Sequence, residues 1–183
     1  MNADRVTMIA MLAWGLTLDA RATDPPDSAV RNSAATGTLP RCAIRAVRVR
    51  RSPANPLITP ASSATIGENI NGPSVIRAPA WIERPLGRYY MYFAHHSGRW
   101  IRLATADDLH GPWRVYEPGT LHLKEAAPLR GHIASPDVHL DEQHRRLLMY
   151  VHGDTPAGQR TALAHSQDGL KFTLEPRQLG PFY

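Results

Sequence analysis

The chain has 183 residues, with 21 Lys+Arg against 16 Asp+Glu and a formal charge of +5. Its length allows one domain or slightly more, and 43% hydrophobic residues suffice for a core without making a membrane protein. The single cysteine, Cys42, excludes a disulfide scaffold or a thiolate metal cluster within one chain, and no glycine-rich phosphate loop, HExxH pair or heptad run is present.

Val6 to Leu18 (VTMIAMLAWGLTL) is a thirteen-residue apolar run followed by Ala20-Arg21-Ala22. That length and small-residue ending predict a signal peptide over residues 1–22 and a secreted or periplasmic protein. Cys42 is then a lone cysteine in an oxidising compartment. Thr23 to Pro40 is rich in Pro, Ser, Ala and Thr, so residues 23–42 are expected to be a flexible lead-in. Ordered structure is expected over residues 43–183.

From there the chain reads as short strands between turn residues. Ala46 to Arg50 alternates valine with arginine, the pattern of an exposed or edge strand. Ser74 to Ala78 lies between two prolines, Tyr89 to Ala94 (YYMYFA) is a core strand, and Ile101 to Ala106 follows the Ser97-Gly98 turn. Trp113 to Tyr116 follows Gly111-Pro112, with Trp113 expected to pack. The order then returns. Pro136 to Leu140 opens it, Arg146 to Val151 (RLLMYV) is the core strand, Thr161 to Ser166 follows, and Phe172 to Leu174 closes it.

Corresponding landmarks are nearly constant in offset. Pro73 and Pro136 are 63 apart, Met91-Tyr92 and Met149-Tyr150 58, Leu103-Ala104 and Leu163-Ala164 60, and Asp108 and Asp168 60. Four short antiparallel strands at a fixed period predict one propeller blade per repeat. Two blades cannot close a ring, and their outer faces would be exposed, so self-association through those faces is expected. The fold expected is all-β: a propeller of which about two blades and the start of a third, at Gly180 to Tyr183, are present.

Only Lys124 and Lys171 are lysines, so the other 19 basic residues are arginine. They are scattered, and no helix-turn-helix or base-stacking motif accompanies them. The charge therefore reads as a solubility property, with no nucleic-acid partner.

Asn69 to Pro79 (NINGPSVIRAP), Gly87 to Ala94 (GRYYMYFA), Ile101 to Trp113 (IRLATADDLHGPW) and Ile133 to His139 (IASPDVH) resemble the five-bladed β-propeller glycoside hydrolases. The nearest are the family 43 arabinanase/xylosidase group. Ser166, Asp168-Gly169 and Phe172 match its common blade ending. The resemblance implies a poly- or oligosaccharide ligand and, in active members, inverting acid–base hydrolysis by carboxylates set apart around a water. It places the carboxylate that orients the acid on Asp137, in Ser135-Pro136-Asp137, and the base position on Gly72, which cannot take a proton. The acid position falls beyond Tyr183. A non-catalytic carbohydrate-binding or structural propeller piece is the alternative.

The residues themselves add candidates. Asp137 and His139 share one strand face opposite Val138, and partial burial beside a histidine would suit acid–base work. Asn69 and Asn71, just before the first inner strand, carry amides suited to sugar hydroxyls, and Glu68 is the nearest acid to the glycine position. Trp81, in the loop after that strand, is the candidate for stacking on a sugar ring. Arg77 and Arg102 lie on strands and suit Asp137 or a carboxylated sugar. His95, His96, His132 and His139 match no zinc spacing, so no metal site and no cofactor is expected, although a structural cation near a channel histidine is allowed. Asp107, Asp108 and Asp168 are expected in turns.

Overall fold

The computed structural model describes residues 48–181. The leader-like segment 1–22, the lead-in 23–42 with Cys42, and Ala46 and Val47 lie outside the described residues. Arg48 to Arg50, the rest of the expected first strand, is not a strand and is exposed. Alternation alone was the signal there, and no neighbouring strand supplies the hydrogen bonds that would fix it.

Two four-stranded antiparallel sheets follow, each a meander in chain order and each resembling a propeller blade. The first contains β1 (Asn71–Arg77), β2 (Tyr89–Ala94), β3 (Trp100–Ala106) and β4 (Arg114–His122). The second contains β5 (Arg130–Asp141), β6 (Arg146–Thr155), β7 (Gly158–Ser166) and β8 (Thr173–Pro181). The landmarks of the sequence repeat meet each other across strands. Met91 pairs with Ala104 and Tyr92 with Leu103 in the first sheet. Met149 pairs with Ala164 and Tyr150 with Leu163 in the second. The repeat is therefore a repeat of register as well as of order.

The sheets stack face to face. Tyr90, Tyr92, Ile101, Leu103 and Leu121 from the first share one core with Ile133, Val138, Leu147, Met149, Val151 and Phe172 from the second. Burying each large apolar side chain contributes roughly 1.5–3 kcal/mol, so this layer holds the pair together. Directional bonds fix its registration. Tyr92 Oη donates to the Gly169 carbonyl at 3.0 Å, and its ring meets Phe172 edge-on at 5.5 Å. The Phe172 N–H donates to the Thr120 carbonyl and the Ile133 N–H to the Gly98 carbonyl, each at 2.9 Å.

The two outer faces differ. Met91, Phe93 and Ala104 of the first sheet are covered by Ile58, Ile66 and Ile70 from the chain preceding β1, with Trp113 and Val115 packed alongside. Trp113 is thus packing, as expected. The opposite face of the second sheet carries Asp137, His139, Leu148, Tyr150, Leu163 and His165, all exposed or half-buried. The expected turns are present. Asp168 Oδ1 accepts the N–H groups of Leu170 and Lys171 and the Ser166 hydroxyl, and Asp108 Oδ1 accepts the N–H of His110.

Candidate functional site

The opening strands of the two sheets, β1 and β5, lie side by side and start at the same end. Gly72, near the start of β1, has φ +57° and Ser135, midway along β5, has φ 51°, so the two strands meet at left-handed kinks where each register is irregular. An added Cβ at Gly72 would sit 2.7 Å from Ser135 Cα. No carboxylate can be hung on that backbone without moving β5. The resemblance puts the general base at this position, and close approach of the strands explains the glycine there.

Asn69 and Asn71 converge on the β2–β3 loop at the same end. Asn69 Oδ1 accepts the His96 N–H at 3.0 Å, and Asn71 Nδ2 lies 3.3 Å from His96 Nδ1. Asn71 Oδ1 is buried and has no partner among the described residues. The exposed Asn69 and half-buried Asn71 amides at this end are polar groups of the kind that meet hydroxyl-bearing ligands.

His132, near the start of β5, adds a second polar group. Its Nδ1 lies 3.1 Å from Asp154 Oδ2, and its ring meets that of His152 edge-on at 5.6 Å. Burial holds the His152 imidazole below the usual histidine range, and nearby His132 and His96 push it the same way. His152 and Asp154 were not singled out in the sequence. Their period-2 alternation along the end of β6 was the available signal, hidden because Gly153 between them reads as a turn. Among the described residues no three of His, Cys, Asp and Glu form a group fit to hold a metal ion.

Asp137 and His139 do share a face, with His139 Nε2 at 2.9 Å from Asp137 Oδ2 and the His139 ring edge-on to Tyr150 at 5.7 Å. The partial burial expected of Asp137 is not found: its side chain is 63% exposed, because among the described residues nothing covers this face of the second sheet. Glu68, the nearest acid to Gly72, is exposed as well.

The remaining candidates are elsewhere. Trp81 and Arg77 lie at the other end of β1 from Asn71, a strand length of roughly 20 Å away. Trp81 is half-buried against the inter-sheet core with a buried, unpartnered Nε1, and Arg77 is exposed. One sugar ring cannot touch both Asn71 and Trp81. Arg102 points to the face of the first sheet turned away from β5, since its cross-strand partner Phe93 belongs to the layer under Ile58 and Ile66.

No family model matches the chain. It is 33% identical over 158 residues to the uncharacterized protein R118 of Acanthamoeba polyphaga mimivirus, a match covering 74% of this chain and 44% of that protein. The chain thus spans less than half the length of this relative. Among solved structures it is similar to the GH43_1 enzyme from Xanthomonas citri complexed with xylotriose, with a TM-score of 0.50 and 14% identity over 61% of this chain and 33% of that one. It is also similar to CoXyl43, a GH43 β-xylosidase/α-arabinofuranosidase from a compost microbial metagenome, with a TM-score of 0.48 and 17% identity over 60% of this chain and 35% of that one. At these identities the likeness is one of fold. The two four-stranded sheets resemble propeller blades.

Proposed function

We propose that this chain is the two-blade portion of a five-bladed, family 43-like propeller and that it binds a poly- or oligosaccharide at the end where β1 and β5 begin. Gly72 carries the reading. The backbone that would bear a base has no space for one, so the residues present suit recognition by Asn69, Asn71 and the His96 loop better than proton transfer. Export through the leader-like segment belongs to the same proposal.

Titration calorimetry with xylo- and arabino-oligosaccharides tests it. Binding should weaken about tenfold in Asn71→Ala, the size expected for one lost hydrogen bond of about 1.4 kcal/mol. A panel of neutral and acidic oligosaccharides giving no heat would remove the carbohydrate reading.

A second reading, inverting hydrolysis, is favoured by Asp137 beside His139 at the opening of the second sheet. It requires two placed carboxylates, of which Asp137 supplies one. Turnover of an oligosaccharide to the inverted anomer, lost in Asp137→Asn, would decide for it.

A further inference from the structure

Arg102 is 4% exposed, yet among the described residues no carboxylate pairs with it. Its Nε and Nη1 are buried without hydrogen-bond partners among the described residues. Its guanidinium carbon stands 5.1 Å from the centre of the Trp100 ring, a cation–π contact that offsets only part of the cost of burying the charge.

The side chain lines an open cavity of about 420 Å³ with Thr65, Gly67, His95, Ser97 and Arg99. Arg102 Nη2 is 3.6 Å from where a Cβ would stand on Gly67, so the absent side chain there keeps that approach clear. A second cavity of about 370 Å³ shares Arg99 and Trp100 and is lined by His122, Lys124 and Arg130. Neither lining contains an acid. The Glu117 carboxylate accepts from the Ser63 and Thr65 hydroxyls instead, and Glu68, beside Gly67, is exposed. Four basic residues, Arg99, Arg102, Lys124 and Arg130, therefore line these two cavities, beside the β2–β3 loop whose His96 holds Asn69 and Asn71.

We infer that the Arg102 cavity receives the carboxylate of an acidic saccharide, a uronate unit, with Arg102 as the buried anchor and Arg99 at the rim. This rests on the carbohydrate reading and narrows its substrate class. Arg102 Nη2 stands on the Gly67 side of the cavity, a charge-assisted bond is about twice as strong as a neutral one, and Thr65 and Ser97 line the same cavity with hydroxyls for the rest of a sugar.

Calorimetry on the 183-residue chain with tri-galacturonate, a neutral xylotriose, and free acetate or sulfate separates the cases. Tri-galacturonate should bind at least tenfold more tightly than xylotriose. That preference should be lost in Arg102→Gln and reduced several-fold in Arg99→Ala and in Arg102→Lys. Arg99 is exposed on a loop, so its variant gives a readout even where a change at Arg102 disturbs folding. Equal binding of acidic and neutral sugars overturns this inference and leaves carbohydrate binding standing. Free acetate or sulfate binding as tightly as tri-galacturonate overturns it in favour of a small-anion site. No binding of either saccharide overturns both readings together.

Discussion

Ser74 Oγ accepts the backbone N–H of Val138 at 2.9 Å, and this buried bond joins the opening strand of one sheet to the opening strand of the other. Without the hydroxyl, a strand N–H is left in an apolar layer between Tyr92 and Met149, where water cannot replace the partner. Ser74→Ala should cost about 1–3 kcal/mol, the penalty for an orphaned buried donor. Urea unfolding checks it, with an unchanged slope expected if both sheets unfold as one unit.

Restoring the carboxylate that the resemblance calls for should fail. Gly72→Asp places a side chain on a backbone at φ +57° and a Cβ against Ser135 Cα. Aspartate tolerates that φ better than most residues, but the contact with β5 remains. A loss of about 1–3 kcal/mol in unfolding free energy is expected, with no gain in glycoside turnover. Restored hydrolysis in a variant as stable as the parent would show that β5 can give way.

The β5–β6 turn gives an acid-dependent term. Hydrogen bonds from Arg146 first, and then His144, hold the Asp141 carboxyl at about 2, against an ordinary 3.8. The folded state thus binds this proton less readily than the unfolded chain. The resulting stability is complete above pH 3.8 and is lost as pH falls through about 2. Denaturant midpoints followed from pH 5 to pH 2 should fall less steeply in Asp141→Asn than in the parent.

His152 should titrate below 6.5, since burial disfavours its charged form. Its folded value lies under the unfolded one, so its contribution is present above pH 6.5 and is lost as pH falls through the folded midpoint. Two substitutions should move that midpoint in opposite directions when followed by NMR of the ring protons. His132→Gln removes a nearby positive charge and should raise it, whereas Asp154→Asn removes a negative charge and should lower it.

The strand order was legible because each core strand is an unbroken apolar run. Tyr89 to Ala94 matches β2 residue for residue. The ends were not legible, and glycine is the physical reason. Expected strands opening at Ser74, Pro136 and Thr161 open at Asn71, Arg130 and Gly158, and the one closing at Tyr116 runs on to His122. Gly72, Gly119 and Gly131 have positive φ and read as turns, yet they sit within strands where the ladder is irregular. The site was legible where it is local, as with Asn69, Asn71, and Asp137 with His139 two residues on. Arg99 and Arg102 are too far along the chain from Lys124 and Arg130 for any window to show the two pairs as neighbours. Folding β3, its preceding loop and the start of β5 together does that.

The shared register of the two sheets has a last consequence. Tyr92 and Leu103 are sealed inside, whereas Tyr150 and Leu163, their counterparts one repeat later, meet water. What the protein shows to solvent on that side is the pattern of an interior: a tyrosine–leucine step whose earlier twin has Phe172 pressed against its ring. Stacking of a further sheet on the second would extend an arrangement already written once in this chain.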